Sequence, residues 1–176
     1  AGGTAQWEGG VLGPDGKIYA IPSNETSILI IDPVAGTATK SNMGVDLSDG
    51  SKFSGGVLGS DGKIYGIPFF SSDILIIDPV GGTATRNDLG ATLGSGTFSG
   101  GAVGPDGKIY GIPFSATDIL IIDPVGQTAT RSTMGATLTG SQKWDGGVLG
   151  ADGKIYGIPS AAGDFLIIDP DAGTAE

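Results

Sequence analysis

The 176-residue sequence contains no cysteine and no histidine. The first absence removes disulfides and thiolate nucleophiles, the second removes imidazole bases, and together they remove the usual ligands of zinc. Charge is scarce as well: 9 Lys and Arg stand against 19 Asp and Glu, for a net charge of −10. With no basic stripe to neutralise phosphates, nucleic acid and anionic membrane surfaces are poor partners. Apolar runs are short, ILII being typical, against the roughly 20 residues that a membrane-spanning helix requires. The sequence opens at Ala1 with neither an initiator Met nor a charged-then-apolar leader, as a processed protein or a portion of a longer chain does.

What is abundant is glycine, with 34 residues, beside 10 prolines. Both disfavour helix interiors, Gly by about 1 kcal/mol and Pro by about 3 kcal/mol, so an all-β chain rich in turns is expected. The string DGKIYxIP occurs four times, with Asp-Gly at 15–16, 61–62, 106–107 and 152–153, spacings of 46, 45 and 46 residues. A fixed period of that size marks an array of one supersecondary unit.

In the third copy, Phe98–Gly104 reads as a small-residue strand ending at a Pro-Asp-Gly turn, and Lys108–Pro113 as its hairpin partner. Asp118–Asp123 carries an unbroken apolar run, the mark of a strand buried on both faces. A turn led by Asp123 then releases Thr128–Arg131 as a polar fourth strand, and a Gly-rich connection runs to the next copy. Four short antiparallel strands per repeat is the pattern of a β-propeller blade. The copies divide near 1–44, 45–90, 91–135 and 136–176, and the last stops early in its outer strand.

GGVLGPDGKIYGIP followed by ILIIDPVGGTAT resembles the tandem blades of quinoprotein-like, Kelch-like and NHL-like propellers over essentially the whole chain. The resemblance implies the blade and not an activity. Quinoproteins place a blade-locking Trp after the third-strand turn; here Thr-Ala-Thr follows, so no cofactor is implied.

Inner strands as small as GGVLG and GGAVG suit a wide ring of eight blades better than a tight ring of four. The expectation is therefore half a ring, completed by a second copy of the chain. A four-bladed ring in one chain, a segment of a longer array and an open filament are the alternatives.

Trp7, Phe53, Phe98 and Trp144 open the inner strands on the face where Phe69 and Phe114 begin the loops between second and third strands. Such a ring of aromatics could stack sugar rings; the plainer reading makes these residues wedges between blades. Asp32, Asp78, Asp123 and Asp169 read as turn caps rather than metal ligands, each being isolated from other acids in its copy. Asp46 to Asp49 has the flavour of a calcium loop but lacks its third acid and closing Glu. Asp73, Asp118 and Asp164 read as solvated loop acids, and Lys17, Lys63, Lys108 and Lys154 as solvated edge charges. Asn24-Glu-Thr26 matches the glycosylation pattern, relevant only to a chain secreted by a eukaryote.

Catalysis needs unlike groups converging, so catalytic residues should break the repeat. The breaks are mild, and only a carboxylate pair of the glycosidase kind is left as an enzymatic option. The function expected is non-catalytic self-assembly or scaffolding, with no metal and no cofactor. The alternative is a glycan- or protein-binding module using the loop face.

Overall fold

The computed structural model describes residues 6–49, 52–94 and 97–176. It contains four antiparallel four-stranded sheets, each a simple meander. The first is β1 (Trp7–Leu12), β2 (Ile18–Pro22), β3 (Ile28–Asp32) and β4 (Thr37–Ser41); the second is β5 (Phe53–Leu58), β6 (Ile64–Pro68), β7 (Ile74–Asp78) and β8 (Thr83–Asn87). The third is β9 (Phe98–Val103), β10 (Ile109–Pro113), β11 (Ile119–Asp123) and β12 (Thr128–Ser132). The fourth is β13 (Trp144–Leu149), β14 (Ile155–Pro159), β15 (Leu166–Asp169) and a two-residue β16 (Thr174–Ala175).

The first hairpin of each blade is built by its Asp-Gly pair. The second residue takes a left-handed backbone, with φ of 81° at Gly16, which Gly alone adopts freely. The Asp ties the hairpin twice: Asp15 accepts from the Lys17 amide at 3.2 Å and from the Tyr19 hydroxyl at 2.9 Å. The tyrosine bond recurs as Tyr65 to Asp61, Tyr110 to Asp106 and Tyr156 to Asp152. Asp32, Asp78, Asp123 and Asp169 each accept backbone amides of their own turns at 2.7–2.9 Å.

Among the described residues no blade has a core of its own. One apolar cluster unites blades one and two, a second unites two and three, and a third unites three and four. In each, the Tyr and second Ile of one IYxIP strand face the first Ile and the Leu of the next blade. The knob is that second Ile. A Cβ placed on Gly56 would lie 2.8 Å from Ile21 Cγ1, one on Gly101 3.3 Å from Ile67 Cδ1, and one on Gly147 2.6 Å from Ile112 Cδ1. The facing glycine is thus the hollow that admits the isoleucine.

Nearer the axis each inner strand bulges at its other glycine, where pairing with the second strand slips. There backbones touch: a Cβ on Gly9 would sit 3.2 Å from Gly55 Cα, and one on Gly100 3.0 Å from Gly146 Cα. In copies two, three and four the Gly-Gly pair therefore does two jobs, close backbone approach and acceptance of a knob.

Inner strands pack as β1 on β5, β5 on β9 and β9 on β13. Among the described residues β1 and β13 share no such packing, so the four blades form an arc with two free faces. The apolar third strand is buried along β7 but only half-buried along most of β3, which lacks a blade on one side.

Burial, reinforced by the Asp bonds, pushes the Tyr19, Tyr65 and Tyr110 hydroxyls far above their ordinary value of 10.0. A raised folded-state pKa gives stability that is present below pH 10 and lost as pH climbs past it. Burial lowers Lys52 and Lys143 from 10.5, an opposing effect that is spent once pH reaches that value. In an alkaline titration these three tyrosines should therefore ionise only as β-sheet circular dichroism is lost. Three tyrosines ionising in an intact fold would contradict the burial described.

Candidate functional site

Three regions of the arc gather polar or aromatic side chains: the loop face, the joints between blades and the axis. On the loop face the aromatics expected from the sequence separate into two groups. Phe53 and Phe98 are fully buried and Trp144 nearly so; they wedge between blades and offer no ring face to solvent. Trp7 is half-buried, and its indole donates to the Ser27 carbonyl at 2.9 Å, as Trp144 does to Asp164 at 2.8 Å. A cation lies over each ring: Lys40 over Trp7, Arg86 over Phe53, Arg131 over Phe98 and Lys143 over Trp144, at 4.6–5.8 Å.

Phe69 and Phe114 belong to the second group. Their ring centroids are 5.5 Å apart, and Phe70 meets Phe69 edge-on at 4.6 Å. With Thr97, Ser115, Ser141 and Gln142 they line an open cavity of about 460 Å³ over blades two, three and four. No lining residue is charged. Gln142 holds φ at 54°, a conformation costly for a side-chain-bearing residue. It is held there as its amide donates to Ser115 Oγ at 3.2 Å and its carbonyl accepts from Ala161 at 2.8 Å. Copies one and four have Ser23-Asn24 and Ser160-Ala161 where copy two has Phe69-Phe70. Asn24 lies half-buried in its loop.

The joints hold the loop acids and two lysines. Asp73 and Asp118 do not stand free in solvent as the sequence suggested: Arg86 pairs with Asp73 at 3.3 Å and Arg131 with Asp118 at 2.8 Å. The outer-strand arginine reaches them while also gripping the connector from the preceding blade. Arg86 makes a two-pronged bond to Asp49 at 2.8 and 2.9 Å, and Arg131 donates to the Thr92 and Leu93 carbonyls at 3.0 Å. Partial burial acts upward on the Asp49 carboxyl, and its contacts with Arg86 outweigh this and hold it below the ordinary range. Asp49 is thus spoken for, and no cluster of three or more metal-ligating side chains forms among the described residues.

Lys52 and Lys143 have only 1% and 4% of their surface exposed, the least expected of positions for an ammonium group. Backbone carbonyls replace water around them. Lys143 Nζ donates to Ala116 at 2.7 Å, Gly140 at 3.1 Å and Phe114 at 3.4 Å; Lys52 Nζ donates to Glu25 at 3.0 Å and to Asp49. Each clamps its blade to the loop of the blade before it.

At the axis, the residue after each wedge aromatic is Glu8, Ser54, Ser99 or Asp145. The Ser99 hydroxyl donates to Asp145 Oδ1 at 2.5 Å and, its proton so committed, accepts from Ser54 at 2.9 Å. Side chains at this position therefore touch from blade two to blade three and from blade three to blade four. Neither the buried lysines nor this chain was anticipated, although the single-letter departures at these positions were visible in the repeat.

No family model and no curated protein matches the chain. Among solved structures it is similar to virginiamycin B lyase from Staphylococcus aureus, a catalytically inactive histidine-to-alanine variant with quinupristin. That match has TM-score 0.75 and 17% identity over 97% of this chain and 54% of that one. It is similar also to a streptogramin B lyase (TM-score 0.75, 19% identity, 97% of this chain and 53% of that one). A third is an auxiliary nutrient binding protein from Bacteroides ovatus (TM-score 0.70, 17% identity, 97% of this chain and 40% of that one). At such identities the likeness establishes the fold, tandem β-propeller blades. The chain spans about half the length of these structures.

Proposed function

We propose that the chain is a non-catalytic, self-assembling propeller module in which the free face of blade four receives the free face of blade one of a second copy. The observation that carries this reading is the unfilled state of both halves of the joint. Ile158 is 49% exposed, whereas its counterparts Ile21, Ile67 and Ile112 are fully buried as knobs. Phe165 is 55% exposed, whereas Ile28, Ile74 and Ile119 at its position are fully buried. Among the described residues nothing lies within 4 Å of a would-be Cβ on Gly146, and Gly10, the hollow of blade one, meets only its own blade. Ala38 of β4 is exposed where Ala84 and Ala129 are covered.

Exposed apolar surface of this kind is normally covered by a partner, and the surface that fits it is the one that fits three times already. Two copies would set eight blades around the axis, consistent with neighbours about twice this length. Support for the absence of catalysis comes from side-chain supply: the lyase is inactive when a histidine becomes alanine, and these 176 residues contain none. Light scattering across a dilution series should give twice the 17.4 kDa chain mass. Ile158→Asp, altering a side chain exposed in the single copy, should give the single mass with an unchanged circular dichroism spectrum. A wild-type chain that stays single at every concentration would contradict assembly, and an open ladder of masses would contradict the closed ring.

A second reading rests on the Phe69, Phe70 and Phe114 cavity. An aromatic floor with hydroxyl and amide groups at its rim, and no charge in a chain of net −10, suits a neutral saccharide ring stacked on Phe70. On a glycan array, wild type should bind neutral glycans and Phe70→Ala should lose at least about tenfold in affinity, the value of one stacking contact of about 1.4 kcal/mol. A blank array, or equal binding by Phe70→Ala, would remove this reading.

A further inference from the structure

The four inner strands carry two charged residues between them, Glu8 on the first and Asp145 on the last. Both follow a wedge aromatic, the position at which neighbouring blades touch side chain to side chain: Ser54 meets Ser99 at 2.9 Å and Ser99 meets Asp145 at 2.5 Å. Within one chain the two carboxylates stand at opposite ends of the arc. When blade four of one copy meets blade one of the next, the same register sets Asp145 beside Glu8 of the second copy.

Two carboxylates at that spacing repel unless one carries a proton, and a carboxyl group with a carboxylate makes a strong charge-assisted hydrogen bond. We propose that the joint between copies closes by proton sharing between Asp145 and Glu8 of the second copy, which makes assembly acid-favoured. This rests on the assembly reading above.

Among the described residues nothing else at the axis supplies a counter-charge. Ser99 already donates to Asp145, and Ser54 stands beside β1 with its hydroxyl directed to Ser99. The strands packed alongside bring Tyr19, Tyr110 and Tyr156, whose hydroxyls donate to turn carboxylates. The adjoining Lys52 and Lys143 have their ammonium groups committed to backbone carbonyls. Association therefore takes up about one proton per joint, two for the closed pair of copies, and its constant rises by up to about a hundredfold for each unit that pH falls through the carboxylate range.

The test is sedimentation equilibrium of the full chain between pH 4 and pH 7.5, for wild type, Asp145→Asn, Glu8→Gln and, as a control for the general loss of negative charge, Asp88→Asn. Wild type and Asp88→Asn should associate more tightly in acid. Asp145→Asn and Glu8→Gln, each able to hydrogen-bond the remaining carboxylate without a proton, should associate at pH 7.5 nearly as well as in acid. Wild-type and Asp145→Asn profiles that coincide, in chains that do assemble, would overturn the proton-shared pair alone. Single copies at every pH in all four proteins would overturn the assembly reading and this pair with it.

Discussion

An isoleucine pressed into the place of a missing side chain is the contact on which this molecule depends. A four-stranded blade of about 40 residues is too thin to enclose a core, and stability in such repeats comes from the interface between neighbours. Here that interface is a knob, Ile21, Ile67 or Ile112, against Gly56, Gly101 or Gly147, with glycine backbones in contact a few ångströms nearer the axis. The remaining features attach to it. The wedge aromatics fill the outer part of each joint, Lys52 and Lys143 fasten its loop side through carbonyls, and Arg86 and Arg131 hold the connectors down against the outer strands.

A repeated joint has a consequence for the ends of any arc. Every blade presents one face with a knob and another with a hollow, so three closed joints leave one unpaired knob and one unpaired hollow. The proposed assembly rests on this geometry, and the charged axis residues stand on the first and last inner strands. Serines occupy the two inner blades, where side chains meet within the chain, and carboxylates occupy the outer two, where they meet only if copies meet. The propeller fold shared with a lyase and a nutrient binding protein decides none of this; function on such a scaffold resides in residues that break the repeat.

Much of the architecture was legible because it repeats. The Asp-Gly turns announced the hairpins, and the unbroken ILII runs announced strands covered on both sides. Strand ends moved by a residue: the second strand of copy three begins at Ile109 rather than Lys108, and its outer strand extends to Ser132. The Gly-Gly pairs were read as small, but their double role needs the bulge and the neighbour's isoleucine, neither of which is local. The burial of Lys52 and Lys143 is not legible in the sequence because a lone lysine defaults to the surface, and the carbonyls that solvate Lys143 come partly from a loop almost 30 residues away. Asp73 and Asp118 look solvated in the sequence for the same reason: their arginine partners lie across a strand pair. On the loop face, the sequence grouped six aromatics as one ring, and burial divides them into wedges and a cavity floor.

The knob and hollow can be tested directly by a double-mutant cycle at the joint between blades three and four. Gly147 has an ordinary backbone conformation, and a methyl there would lie 2.6 Å from Ile112 Cδ1. Gly147→Ala alone should destabilise the chain by about 1–3 kcal/mol through overpacking, and Ile112→Ala alone by about 2–5 kcal/mol. Together the new methyl enters the space the isoleucine leaves, and the double variant should be more stable than the sum of the two by about 1 kcal/mol or more. Effects that add to within about 0.5 kcal/mol would show that these residues do not meet, and the joint as described would be wrong.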